Sequence, residues 1–99
     1  MHLDENLNRV LSRVAELRDG MGTGKLAPDQ FTAFSKEYSE LEPIADEISV
    51  LHRARAELAE LETLTATETD PEMKALAQDE LFALRDSLPG LERRVQVLL

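Results

Sequence analysis

The sequence predicts an all-α fold: an elongated antiparallel helical hairpin, coiled-coil-like, with an additional N-terminal helix packed against it. Three observations carry that expectation. Apolar residues recur in steps of three and four along nearly the whole chain, which is the spacing of one helix face. No segment alternates apolar and polar residues with period two, so strands are not expected. One turn-forming phrase, TATETDP at residues 65 to 71, separates two long periodic runs.

The first helix follows from Leu3, Leu7, Val10, Val14, Leu17 and Met21, with Leu11 thickening the stripe. It is expected to stop in DGMGTGK, because glycine raises backbone entropy and admits the left-handed conformations that end helices. A loop up to about Pro28 follows. The second run opens on Pro28-Asp29, a first-turn pair, and carries Phe31, Phe34, Tyr38, Leu41, Ile44, Ile48, Leu51, Leu58, Leu61 and Leu64. Between His52 and Glu57 only Ala54 falls on the stripe, so the seam narrows there. Pro43 lies inside the pattern and costs a helix interior about 3 kcal/mol. Leu41, Ile44 and Ile48 keep phase across it, which points to one kinked helix rather than two.

In the turn, β-branched threonines weaken the helix. Asp70-Pro71-Glu72 then offers an N-cap, a preset first-turn dihedral and a negative charge at the positive end of the helix dipole. Met73, Ala77, Leu81, Leu84, Leu88, Leu91, Val95 and Leu98 make a heptad pattern over the third helix. Pro89-Gly90 interrupts it without changing phase, and a kink is expected there, with a short break as the second choice. Two helices of roughly 30 to 40 residues would reach about 45 to 60 Å, against a radius of gyration near 13 Å for a compact globule of this size, hence the elongated shape.

Ninety-nine residues allow one small domain, and 42% hydrophobic against 31% charged is the balance of a folded chain. No run approaches the roughly 18 apolar residues of a membrane span, and MHLDENLNRV lacks a signal peptide's apolar core, so a cytoplasmic location away from membranes is expected. The absence of cysteine removes disulfides, thiol catalysis and thiolate metal sites. The net charge of −9 is uneven: residues 1–28 are neutral, residues 29–69 carry −7 and residues 70–99 carry −2. Such a chain is repelled by phosphate backbones, so autonomous nucleic-acid binding is not expected.

The constellations that could carry chemistry fail on spacing. GMGTGK suggests a phosphate loop, but Asp19 stands where a Walker motif needs glycine, and Leu26 follows Lys25 where Ser or Thr is required. His2 and His52 are the only histidines, and Ser49 occupies the position that a Glu-x-x-His metal motif would give to glutamate. No cofactor or metal is expected. Glu57, Glu60 and Glu62 have the spacing of a solvated helix surface, not of two carboxyls held across a pocket. The basic pairs Arg53/Arg55 and Arg93/Arg94 could meet an acidic partner, and Arg53 and Arg55 are the candidate partner-binding residues; helix-surface ion pairs account for them equally well. The terminal VQVLL has no polar cap, which reads as a segment of something longer and as a surface through which copies could self-associate.

DPEMKALAQDEL at 70–81, followed by LERRVQVLL at 91–99, resembles the end of the N-terminal helical domain of bacterial peptide chain release factor 1. FTAFSKEYSELEPI at 31–44 looks like that domain's second helix, with Phe31, the Ser35-Lys36-Glu37-Tyr38 run and Leu41 at matching positions. The phrase DPEM...AQDEL separates it from the sister factor 2. The Gly-rich loop at 20–24 and Pro89-Gly90 depart from the family pattern. The resemblance implies one helical domain over residues 1–99 and a longer parent that reads UAG and UAA in the ribosomal decoding centre and triggers peptidyl-tRNA hydrolysis.

Family members use a Pro-x-Thr tripeptide and a Gly-Gly-Gln tripeptide for those tasks. Here Pro28, Pro43, Pro71 and Pro89 are followed two residues on by Gln30, Ala45, Met73 and Leu91, and no two glycines are adjacent. No catalytic residue carries over, so the chain is expected to be inert as a release factor and not itself an enzyme. The resemblance further implies a ribosome-facing arm directed at the stalk base, with interplay with the recycling GTPase release factor. A rigid acidic lever would favour basic protein patches over bare RNA. The competing reading is a self-contained coiled-coil adaptor or dimerisation module.

Overall fold

A computed structural model describes residues 2–99. Three helices follow one another, α1 (His2–Gly22), α2 (Pro28–Thr67) and α3 (Pro71–Leu98), and no strand occurs among the described residues. The chain divides into two compact units. One holds the described residues up to Ile48 together with Leu98–Leu99, and the other holds Ser49–Val97.

In the first unit, α1 packs on the opening part of α2 in antiparallel fashion across a five-residue loop, residues 23–27. Leu7, Val14 and Leu17 of α1 and Ala45 and Ile48 of α2 are buried. Burying one such leucine or isoleucine side chain contributes about 1.5–3 kcal/mol. Helix α1 ends at Gly22, within the glycine-rich DGMGTGK run as expected, and Gly20 lies in its last turn. Gly20 has a packing reason: a Cβ there would lie 2.6 Å from Cε2 of Phe34, so only glycine lets α1 approach the ring. The break comes at Gly24, whose φ of 71° is the one positive value among the described residues. The Thr23 hydroxyl donates to the Gly20 carbonyl at 2.8 Å and accepts from the Lys25 amide at 3.2 Å, taking over backbone groups that the ending helix frees.

Ala27 is the cap residue of α2. Its carbonyl accepts from the Phe31 amide at 2.9 Å, and its own amide donates to Oε1 of Gln30 at 3.0 Å, the returning half of a capping box. The helix then runs unbroken through Pro43, and α3 likewise runs through Pro89-Gly90, so the short break held as second choice there does not occur. Both prolines are exposed, as are Ser39 and Arg85, whose carbonyls each proline leaves without its amide partner. Water can satisfy those carbonyls, which makes continuity tolerable.

In the second unit, the remainder of α2 and α3 form an antiparallel hairpin. Leu61, Ala77 and Leu81 make its core cluster, with Leu58 and Leu84 packed against it. The heptad reading places Ala77, Leu81, Leu88 and Val95 inside, and all four are buried; so is Ala54, where the seam narrows. Phe31, Leu64, Met73 and Leu98 lie on the expected stripes yet are exposed, because each sits in the first or last turns of its helix. The turn is shorter than TATETDP suggests. Helix α2 continues to Thr67, and within it the Thr63 and Thr67 hydroxyls donate to the carbonyls of Ala59 and Thr63 at 3.1 and 2.9 Å. Only residues 68–70 connect the helices. There the Glu68 carboxylate accepts from the Thr69 and Asp70 amides, and Asp70 caps α3: its Oδ1 accepts from the Glu72 amide at 3.1 Å and its carbonyl from Lys74 at 2.9 Å.

Candidate interaction surfaces

The chain's most organised polar set lies in the first unit, between α1 and α2. Residues Phe34, Glu37 and Tyr38 fall at spacings of three and four on α2 and so share a face. Arg13 of α1 meets that face. Its Nε and Nη2 donate to Oε2 and Oε1 of Glu37 at 2.6 and 2.8 Å, and its Nη1 donates to Oε2 of Glu16 at 3.2 Å. The same guanidinium lies 5.8 Å from the Phe34 ring centroid, and Arg18 lies 5.8 Å from that of Tyr38, both within cation–π range.

The hydrogen bond from Arg13 holds the Glu37 carboxyl below its ordinary range and outweighs partial desolvation; Arg13 is in turn raised by Glu37 and Glu16. Arg18 is raised mainly by its hydrogen bond to Tyr38. This arrangement joins the two helices through charge-assisted hydrogen bonds and ring contacts. Sequence reading placed Phe34 and Tyr38 on the apolar stripe and left Arg13 unassigned. The pair Arg13–Glu37 spans 24 positions, and only the arrival of α1 on α2 brings it together.

Arg53 and Arg55 do not form a common patch. Two residues apart on α2, they project about 200° apart around the axis. Arg53 is exposed, whereas Arg55 is half-buried and already interacts within the chain, as does Arg94. His52 is exposed on α2, and the side chain of His2 lies outside what the structure describes. Among the described residues no three His, Cys, Asp or Glu side chains converge as a metal-holding group. Glu57, Glu60 and Glu62 are all exposed, and Glu62 faces Arg85 of α3 at 3.9 Å. No described helix is long and apolar enough to cross a membrane.

Open grooves follow all three helices. One of about 580 Å³ follows α1 along Glu5, Arg9, Ser12 and Glu16. Another of about 420 Å³ follows α2 along Ala59, Thr63, Leu64 and Thr67, and a third of about 320 Å³ follows α3 along Glu72, Ala75, Leu76 and Asp79. Such shapes suit contact with another macromolecule better than enclosure of a small substrate.

Comparison with known proteins places the chain among release factor relatives. The PCRF domain matches residues 10–99. The chain is 40% identical over 93 residues to peptide chain release factor 1 of Erythrobacter litoralis, covering 94% of this chain and 25% of that protein. It is 40% identical over 99 residues to peptide chain release factor 1 of Granulibacter bethesdensis, and 38% over 99 residues to that of Rhodospirillum rubrum; each alignment covers all of this chain and 27% of the relative. The chain thus spans about a quarter of the length of the curated relatives it matches. No solved structure matches it significantly. With nine-tenths of its length inside the domain and sustained similarity to release factor 1 proteins, the chain belongs to the PCRF domain family.

Proposed function

We propose that this chain is a helical domain of a release factor 1 type translation termination factor, acting in the cytoplasm as a ribosome-facing arm and contributing no catalytic group of its own. The observation that carries this reading is the similarity to release factor 1 over the whole chain while only about a quarter of each relative is covered. The sequence lacks both Pro-x-Thr and Gly-Gly-Gln, so UAG and UAA reading and peptidyl-tRNA hydrolysis belong to other parts of such a factor. The partners in this reading are the ribosomal stalk base and the recycling GTPase release factor. A net charge of −9 favours basic protein surfaces over bare RNA. Arg53 is the exposed cation of the candidate pair, and Arg55 projects about 200° away around α2.

A domain exchange tests the proposal. Release factor 1 of Rhodospirillum rubrum, with its matching quarter replaced by this chain, is expected to keep stop-codon-dependent release on ribosomes. An unrelated helical hairpin in the same place should impair it. Release by the isolated chain, or loss of release in the exchange, would overturn the reading. The adaptor reading retains one specific support: Val97 is 85% exposed, so copies could associate through the Val95–Leu99 segment. Sedimentation equilibrium of the wild-type chain and of Val97→Ser decides it.

A further inference from the structure

The outer face of α3 carries two short apolar rows that the hairpin core does not use. Leu76 and Phe82 are each 57% exposed, the highest values among the large apolar side chains of the hairpin before Val97. Ala75 and Phe82 are seven residues apart, as are Leu76 and Ala83, so both pairs repeat along one face of the helix. That face is roughly opposite the one that buries Ala77, Leu81 and Leu88. Glu72, Asp79 and Asp86, also at intervals of seven and all exposed, run between these rows, and the groove along Glu72, Ala75, Leu76 and Asp79 lies within the same face. From Glu72 to Asp86 it extends about 21 Å.

We infer that this face of α3 docks a helix of a partner protein, one whose central row of lysine or arginine is flanked on both sides by apolar side chains. The charge pattern selects that occupant. A second copy of this chain would set Glu72, Asp79 and Asp86 against its own acids, and like charges facing across an interface are costly. A nucleic acid would bring phosphates to the same carboxylates. A basic amphipathic helix satisfies both features, covering Leu76 and Phe82 while its cations meet the acidic line. The surface does not depend on the ribosome-facing role and would be present whichever longer protein carried it.

The test uses the full chain and a fluorescein-labelled helical peptide of about 18 residues, with a central lysine row flanked by leucines and alanines, long enough to span the face. Fluorescence anisotropy is measured for the wild type, for Leu76→Ser/Phe82→Ser, and for Leu64→Ser as a control on α2. Circular dichroism checks that each variant keeps its helices. Saturable binding is expected for the wild type and Leu64→Ser, with a loss of about ten-fold or more in Leu76→Ser/Phe82→Ser. A glutamate-for-lysine version of the peptide should not bind. Equal binding by the double variant would mean diffuse attraction to a −9 chain and would overturn the inference. So would absence of binding at millimolar peptide, an equal loss in Leu64→Ser, or sedimentation showing that the chain dimerises through Phe82.

Discussion

The Arg13 guanidinium and the Glu37 carboxylate meet as a two-pronged fork, Nε to Oε2 at 2.6 Å and Nη2 to Oε1 at 2.8 Å, and that fork joins α1 to α2. Because Arg13 also lies over Phe34, lysine cannot replace it: an ammonium offers neither the planar fork nor the flat stack. Arg13→Lys is therefore expected to destabilise the chain nearly as much as Arg13→Gln in urea denaturation. A double-mutant cycle with Glu37→Gln should return a positive coupling.

Glu37 gives this pair a pH signature. Its carboxyl is held below the ordinary value of 4.5 in the folded chain, so the folded state binds that proton less readily than the unfolded one. The pair's stabilisation is then fully present above pH 4.5 and fades as pH falls through the depressed folded value. The stability gap between wild type and Glu37→Gln should be flat from pH 6 to 8 and close in acid. A gap that is unchanged at pH 3 would show that Glu37 acts by packing rather than by charge.

Gly20 sets helix propensity against packing. Alanine at a helical glycine normally stabilises by about 0.5–1 kcal/mol. Here the added methyl would lie 2.6 Å from the Phe34 ring, and relieving such an overlap costs about 1–3 kcal/mol. Gly20→Ala is expected to be net destabilising. In a Phe34→Leu background the sign should reverse, since the obstructing ring edge is gone. Thermal melts of the four proteins read both outcomes.

These residues show where sequence reading succeeds and where it stops. The inward row Ala77, Leu81, Leu88, Val95 was legible because a heptad is a local, repeated signal tied directly to burial. The start of α3 was legible because Asp-Pro-Glu joins three independent first-turn preferences. The glycine-rich stop was legible too, since α1 ends at Gly22 and Gly24 takes a positive φ, whereas the close packing of Gly20 was not, because it depends on Phe34 arriving from α2. The threonines near the turn misled because β-branching lowers helix propensity only slightly, and α2 carries through them to Thr67. Arg53 and Arg55 read as a pair along the chain, but a helix turns them apart. Exposure of Leu76 and Phe82 was not legible, since apolar residues off the main stripe give no sign of which side a partner helix covers.

Asp70 is the test of the legible boundary. Its Oδ1 accepts from the Glu72 amide at 3.1 Å. Asp70→Ala should destabilise by about 1 kcal/mol, and Asp70→Ser or Asp70→Asn should recover most of it because each retains a capping oxygen. Amide hydrogen exchange should quicken in the first turn of α3 for the alanine variant and leave α1 unchanged.

The last contrast separates periodicity from burial. Leu64, Met73 and Leu81 all sit on the predicted stripes, yet Leu81 is 7% exposed and packed with Leu61 and Ala77, while Leu64 and Met73 are 42% and 51% exposed. Removing buried methylenes leaves a cavity that a helical hairpin can only partly close, so Leu81→Ala is expected to cost about 2–5 kcal/mol. Leu64→Ala and Met73→Ala remove atoms already facing water and should stay within about 0.5 kcal/mol. A small domain's stability is typically about 5–15 kcal/mol, so urea midpoints should separate the first variant from the other two. Comparable losses at all three positions would mean that the seam is closed to its ends by contacts beyond this chain.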